Sequence, residues 1–169
     1  LKPIELYCES FPEIEVAWYK AGTAKHLSIN GLILTSSDKV ISFNPDAIIV
    51  PGNIVPHFWP GIKVQIFHGL CEEKKGHYDI TGFFDLYCTP GPQMTENFQD
   101  LQKKYKTFIV RETGWPKLDR LAAEVPINKQ KILRNIDFKK VNILYAPTFS
   151  PKYQSSEVLF KSIENAQKY

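Results

Sequence analysis

Short apolar runs that end near glycine, proline or asparagine recur along the chain from residue 40 onward. Runs of this kind, bounded by turn residues, are typical of strands in a buried sheet. The predicted strands are VISFN (40–44), DAIIVPG (46–52), IKVQIFHG (62–69), FFDLYCTPG (83–91), KTFIVRETG (106–114) and VNILYAPT (141–148).

Helical patterns lie between several of these runs. The clearest spans residues 92–105, PQMTENFQDLQKKY, where Pro92 suits the first helical turn. Its apolar residues recur at three- and four-residue steps, namely Met94, Phe98, Leu101 and Tyr105. The other predicted helices are PKLDRLAAE (116–124), PINKQKILRNI (126–136) and SSEVLFKSIENAQKY (155–169), the last capped by Ser155 or Ser156. Strands that alternate with helices predict βαβ units and a parallel, doubly wound, Rossmann-like sheet with flanking helices.

The first 40 residues are less regular than the rest. Residues 9–22, ESFPEIEVAWYKAG, favour an amphipathic segment with helical character. Residues 28–38, SINGLILTSSD, favour a hairpin or a strand followed by a loop. The chain contains no internal repeat and no low-complexity tract, so we expect one α/β fold rather than a repeat architecture.

The composition is that of a globular chain that can bury a sizeable core. Of the 169 residues 43% are hydrophobic, and the formal net charge of +3 does not indicate a dedicated nucleic-acid binder. The three cysteines, Cys8, Cys71 and Cys88, form no CxxC pair and indicate a reducing compartment. No run reaches the ~18 to 20 apolar residues of a membrane span. We therefore expect a cytoplasmic protein, with peripheral attachment to the inner face of the cell membrane left open.

Polar, glycine-bearing junctions follow most of the predicted strands. In open α/β sheets, ligands bind in the crevice at the carboxyl ends of the strands. The pair His68-Gly69 follows IKVQIF, so the imidazole is expected to face this crevice. Gly69 would permit a sharp turn or the close approach of a substrate.

His68 can be interpreted in two ways. An imidazole with a pKa near ~6.5 suits a general base at neutral pH, whereas a structural histidine would only bond a neighbouring carbonyl. The other histidines, His26, His57 and His77, lie in irregular, proline-rich or charged segments. We expect each of them to be a surface or packing residue.

Sequence motifs for several other chemistries are absent. The chain has no HExxH and no Cys/His cluster, so no metal site is predicted. It also lacks the GxSxG of serine hydrolases and the GxGxxG and GxxxxGK[ST] of nucleotide-binding loops. Lys74 and Lys75 could hold a phosphate as point charges or lie in an exposed loop, and Asp119 could be an ordinary acid in a first helical turn.

Three segments, taken in order, resemble one known family. They are His68-Gly69 with the downstream lysines, GWPKLDRL (114–121) and ILYAPTFS (143–150). Together they resemble the CDP-glycerol glycerophosphotransferases, which build teichoic acids and related polyol-phosphate polymers. The resemblance runs from about residue 45 to residue 150. The sequence departs from the family pattern in having Leu70-Cys71 after His-Gly and Ser150-Pro151 after the last aromatic residue.

The resemblance implies a two-lobed GT-B architecture. Residues 1–140 would form the N-terminal acceptor-side lobe, and residues 141–169 would begin a donor-binding lobe that is otherwise absent from these residues. His68 matches the family histidine proposed as the catalytic base. The substrate-binding residues that the resemblance implies are Gly69, Lys74, Lys75, Gly114, Asp119, Pro147 and Thr148. Without most of the donor-binding lobe, these 169 residues alone are expected to be inactive.

The expected reaction is transfer of a polyol phosphate, such as glycerophosphate, from a CDP-alcohol to a hydroxyl of a lipid-linked or polymeric cell-envelope acceptor. The resemblance implies no metal and no cofactor, and no nucleic acid is expected as a partner. Two alternatives stay open: a sugar-nucleotide-dependent GT-B glycosyltransferase or epimerase, and a non-catalytic domain that binds acceptor or membrane.

In the loop IVPHFWPGI (54–62), Phe58 and Trp59 could insert at a membrane interface, although core packing of these rings is favoured.

Overall fold

The computed structural model describes residues 1–70 and 76–119, together with residues 136, 137, 139, 140, 155, 159, 160, 162 and 165. The chain divides into two compact units, Leu1–Val125 and Pro126–Tyr169. The predicted strand at 141–148 and the bodies of the predicted helices at 116–124 and 126–136 lie outside the described residues. The lobe boundary predicted after residue 140 falls within the second unit and stays a prediction.

The first unit contains short helices and strands in alternation. Its helices are α1 (Lys2–Cys8), α2 (Ser37–Phe43) and α3 (Pro92–Tyr105), with 3-10 helices at Gly22–His26 and Pro116–Leu118. Its strands are β1 (Ala17–Tyr19), β2 (Leu32–Leu34), β3 (Ala47–Val50), β4 (Ile62–Ile66), β5 (Leu86–Thr89) and β6 (Ile109–Glu112). The predicted strands from residue 46 to residue 114 and the predicted helix at 92–105 are thus confirmed. In the second unit Leu159, Phe160, Ser162 and Asn165 are helical, within the helix predicted for residues 155–169.

The strands form two parallel sheets. β1 pairs with β2, and the other four strands form one sheet in the order β3-β4-β5-β6, every neighbouring pair being parallel. Parallel sheets flanked by helices are the predicted class of fold. Among the described strands the order follows the chain without the reversal that marks a doubly wound sheet. The doubly wound arrangement stays a prediction, because the strand predicted at 141–148 lies outside the described residues. Residues 51–61, which connect β3 to β4, form bends and turns and contain no helix.

Residues 40–44, VISFN, were predicted as a strand, and this prediction is wrong because they end helix α2. Ser36 caps the helix by accepting a hydrogen bond from the Lys39 backbone N–H at 3.3 Å. At the other end Asn44 adopts the left-handed conformation, with φ of 51°, directly before Pro45. A cap and a stop with seven helical residues between them outweighed the strand preference of two β-branched residues.

The helical character predicted for residues 9–22 is also wrong. Helix α1 ends at Cys8, and Ala17–Tyr19 forms a strand. Pro12 accounts for the break, because proline lacks the N–H of a helix interior and disfavours the helical conformation of the residue before it. β1 pairs in parallel with β2, so residues 28–38 do not form a hairpin; they contain strand β2, a two-residue link and the start of α2.

The core of the first unit lies where α3 packs on the four-stranded sheet. Phe98 is completely buried, and its ring centroid lies 4.8 Å from that of Tyr87 on β5 and 5.4 Å from that of Phe67. The ring centroid of Phe108 also lies 4.7 Å from that of Tyr87. The strand ends that carry the candidate site are therefore anchored directly on an aromatic core.

The aromatic loop at residues 54–62 divides its two large rings between core and surface. Trp59 is 6% exposed and its ring lies 4.8 Å from that of Tyr19, whereas Phe58 is 57% exposed. The loop ends at Gly61, which has φ of +83° and where a Cβ atom would lie 2.1 Å from the Pro45 carbonyl oxygen. Within the described part of the chain, no helix is long and apolar enough to cross a membrane.

Candidate functional site

A small pocket lies at the carboxyl ends of β3 and β4. Its volume is about 180 Å³. It is lined by Pro51, Gly52 and Asn53 after β3, by Gln65, Phe67 and His68 at the end of β4, and by Gly76 and His77. The crevice predicted from the strand ends is thus present at this position, and His68 lines it.

The imidazole of His68 is held in one orientation by the neighbouring strand end. Its Nδ1 lies 3.0 Å from the carbonyl oxygen of Pro51. A carbonyl oxygen only accepts hydrogen bonds, so Nδ1 is the donor, and Nε2 carries the lone pair of the neutral ring. The side chain is exposed. Both interpretations of His68 draw on this geometry: the residue bonds a neighbouring carbonyl, and that bond selects the tautomer that a general base requires.

The wall of the pocket after β3 is joined to the segment around Gly76. Asn53 donates a side-chain hydrogen bond from Nδ2 to the Gly76 carbonyl oxygen at 3.1 Å. The next residue, His77, is buried, with its ring centroid 5.8 Å from that of Phe67 and 5.9 Å from that of His68. His77 is therefore a packing residue, as predicted, but it packs inside the candidate site.

The remaining histidines lie away from this pocket. His26 is exposed at the end of a 3-10 helix. His57 is exposed and stacks on Phe83 at a centroid distance of 5.6 Å. Both are surface residues, as the sequence predicted, and His57 offers a matched control for experiments on His68.

Gln65 is a pocket residue whose side-chain acceptor has no hydrogen-bond donor among the described residues. It is 2% exposed, and nothing described donates to its Oε1. In the sheet it is paired with Val50 on one side and Tyr87 on the other. Gln65 is not among the site residues predicted from the sequence. The sequence did contain a signal for it: the central strands of a parallel sheet are near-continuous apolar runs, and Gln65 interrupts such a run.

The second segment of the family resemblance is brought to the end of β4. The Trp115 indole Nε1 donates a hydrogen bond to the Phe67 carbonyl oxygen at 2.8 Å, across 48 residues of sequence. Gly114 has φ of +75°, a conformation that favours glycine and turns the chain after β6. The two segments were treated as separate motifs in the sequence, and the structure connects them through one hydrogen bond.

Two predicted site residues lie beside this connection and not in the pocket. Gly114 and Asp119 are not among the described lining residues. Asp119 is exposed at the end of the 3-10 helix Pro116–Leu118. Lys117, which the sequence analysis did not single out, places its Nζ 5.2 Å from the Trp115 ring centroid.

The conformation of Gly69 does not by itself require glycine. Its φ lies outside the left-handed region, and a Cβ atom there would meet no described atom within 4 Å. Its expected role in substrate approach stays a prediction. Lys74, Lys75, Pro147 and Thr148 lie outside the described residues, so their expected roles stay predictions as well.

The polar side chains at the end of strand β5 form hydrogen bonds within the protein. At the end of β5 the completely buried Thr89 lies with its Oγ1 2.6 Å from that of Thr95 on α3. Thr95 in turn donates to the Glu112 carboxylate at 2.9 Å. These hydroxyls link the strand ends to the first turn of α3, so this junction has a structural explanation.

The described residues offer no metal site, and comparison with known proteins assigns no family. The described residues contain no group of three or more His, Cys, Asp or Glu side chains that could hold a metal ion. Comparison with protein-family models, with curated proteins and with solved structures found no match for the chain.

Proposed function

We propose that the protein transfers a polyol phosphate, such as glycerophosphate, from a CDP-alcohol to a hydroxyl of a lipid-linked or polymeric acceptor, with His68 as the general base. The observation that carries this proposal is the hydrogen bond between His68 Nδ1 and the Pro51 carbonyl. In the neutral form of the ring this bond leaves the lone pair on Nε2, as a general base requires, and His68 lines the pocket. The order of the three sequence segments supplies the reaction class.

In the proposed reaction, Nε2 of His68 takes the proton of the acceptor hydroxyl as that oxygen attacks the β-phosphorus of the donor. A new P–O bond forms to the acceptor, the phosphoanhydride P–O bond breaks, and CMP leaves with the bonding pair. Transfer of this kind needs cationic or N–H groups around the phosphoryl oxygens. Lys74 and Lys75 are the proposed cations, and the donor is proposed to bind between two lobes of a GT-B architecture, the second beginning near residue 141.

The test measures CMP release by the full-length chain from CDP-glycerol in the presence of a lipid-linked acceptor analogue. His68→Gln is compared with wild type and with His57→Gln, which alters an exposed histidine outside the pocket. We expect His68→Gln to lower turnover by about 10²- to 10⁴-fold, the usual contribution of a general base, and His57→Gln to leave it unchanged. Circular dichroism and the melting temperature check that both variants fold.

Full turnover by a folded His68→Gln variant would overturn the role of His68. Release of UDP or another nucleoside diphosphate from a sugar nucleotide, in place of CMP, would assign the protein to the sugar-nucleotide enzymes. Acceptor binding without turnover of any donor by the full-length chain would assign it a non-catalytic role. The same assay thus distinguishes the proposal from both alternatives.

A further inference from the structure

Gln65 is a polar residue at a buried position of strand β4, where an apolar side chain would be expected from the fold alone. The residue is 2% exposed, and its neighbours across the sheet are Val50 and Tyr87. Its Oε1 accepts no hydrogen bond from any described residue. A buried acceptor without a donor destabilises the folded state, so an apolar side chain of similar size would serve folding better. The geometry therefore points to a donor that arrives with a ligand.

The pocket that Gln65 lines is too small for a nucleotide. Pockets for drug-sized ligands have volumes of roughly 300–1,000 Å³. This one measures about 180 Å³. An apolar cavity of about 150 Å³ holds benzene, which has six non-hydrogen atoms, and a three-carbon triol has the same number. Size therefore favours the end of a small polyol over the donor nucleotide.

The lining of the pocket also suits a polyol. The unpartnered Oε1 of Gln65 can only accept, and a hydroxyl is a donor of matching chemistry. His68 contributes a second polar group at the same pocket, with Nδ1 donating to Pro51. Two hydroxyls of one ligand can thus be recognised separately, one by a base and one by an acceptor that cannot take up a proton.

We propose that Gln65 selects the acceptor substrate: its Oε1 accepts a hydrogen bond from a hydroxyl of the terminal polyol next to the hydroxyl that His68 deprotonates. This inference rests on the proposed function. It makes Gln65 a specificity-determining residue that contacts the acceptor. It also assigns the pocket at the ends of β3 and β4 to the acceptor and leaves the nucleotide to bind elsewhere.

The kinetic test uses two acceptor analogues that differ by one hydroxyl, one ending in glycerol and the other in a 3-hydroxypropyl group. With the full-length wild type, kcat/KM should favour the glycerol end by about tenfold to a hundredfold, since the other analogue leaves Oε1 buried without a donor. Gln65→Met, which replaces the amide by an apolar group of similar length, should reduce this preference to about one. Gln65→Glu, which keeps an acceptor oxygen, should retain part of the preference.

A donor-free measurement separates this proposal from the reaction itself. Glycerol and 1-propanol are titrated into the full-length chain while the His68 imidazole is followed by NMR. Glycerol should shift the His68 resonances in wild type and do so at least about tenfold more weakly in Gln65→Met, with 1-propanol affecting both proteins alike. If glycerol shifts the His68 resonances in this way but no donor is turned over, the proposed reaction is wrong and the assignment of the pocket to a polyol is retained. An unchanged preference in Gln65→Met, or no shift with glycerol in wild type, overturns the role of Gln65.

Discussion

The hydrogen bond from Trp115 to the Phe67 carbonyl supports a quantitative prediction about how the candidate site is held together. Trp115→Phe keeps an aromatic ring but removes the indole N–H that lies 2.8 Å from that carbonyl oxygen. Phe67 is 3% exposed, so its carbonyl has little access to water as a replacement donor. Leaving a buried acceptor unsatisfied costs about 1–3 kcal/mol. We expect the free energy of unfolding of the first unit to fall by that amount.

The assay is urea unfolding followed by tryptophan fluorescence. Trp18 and Trp59 remain in the variant, and both lie in the same unit, Leu1–Val125. With a urea m-value of ~2 kcal/mol per M, the midpoint should fall by about 0.5–1.5 M. Because the next residue is His68, turnover should also fall when the Phe67 carbonyl loses its partner.

Lys117→Ala is the matched control for this prediction. It removes the charge 5.2 Å from the Trp115 ring centroid but leaves the indole N–H in place. An exposed cation–π contact contributes about 0.5–1 kcal/mol, so the midpoint should move by less than about 0.5 M. A Trp115→Phe midpoint no lower than that of Lys117→Ala would refute the argument that this hydrogen bond anchors the end of β4.

Three further predictions concern the stability of the first unit. Trp59→Ala should lower the free energy of unfolding, measured in urea, by about 3–5 kcal/mol, because this ring is buried. Phe58→Ala should lower it by less than about 0.5 kcal/mol, because that ring is exposed, and equal losses would contradict this division. Burial raises the pKa of Tyr87 to about 12, so the contribution of the neutral phenol to the free energy of unfolding is complete below pH 10 and is lost as the pH rises toward 12. Between pH 8 and pH 11 the free energy of unfolding of wild type should fall by about 1 kcal/mol more than that of Tyr87→Phe. Hydrogen bonds from Lys2 and Trp18 hold the pKa of Glu5 below its ordinary value of 4.5. Wild type should therefore melt above Glu5→Gln at pH 7, and the difference should shrink as the pH falls below 4.5 through the lowered pKa; a difference that does not shrink in acid would contradict this.

The sequence was informative where one local signal was strong and had no competitor. Apolar runs bounded by glycine and proline located β3 to β6, and helical spacing behind Pro92 located α3 at its observed ends. The signal failed at residues 40–44, where a serine cap and an Asn-Pro stop competed with a strand-like composition and prevailed. It failed again after Cys8, where amphipathic spacing continued through a proline that the helix could not accommodate.

The candidate site was only partly visible in the sequence. His68 could be found because a histidine at the end of an apolar strand is conspicuous, and parallel strands bring such ends to one edge of the sheet. Gln65 was hidden inside a strand, and its meaning depends on Val50 and Tyr87, which are its neighbours only after the sheet forms. His77 likewise became part of the pocket only through packing against Phe67.

By itself the sequence determined the class of fold, the parallel strands from residue 47 to residue 112 and the edge of the sheet at which the pocket lies. These follow from local propensity and hydrophobic period, which act between residues close in the chain. Only the tertiary structure decided the order of the strands, the hydrogen bond from His68 to Pro51, the burial of Gln65 and the bond from Trp115 to Phe67. Each of these depends on groups that lie 17 or more residues apart or on different strands, and no local pattern encodes which of them will meet.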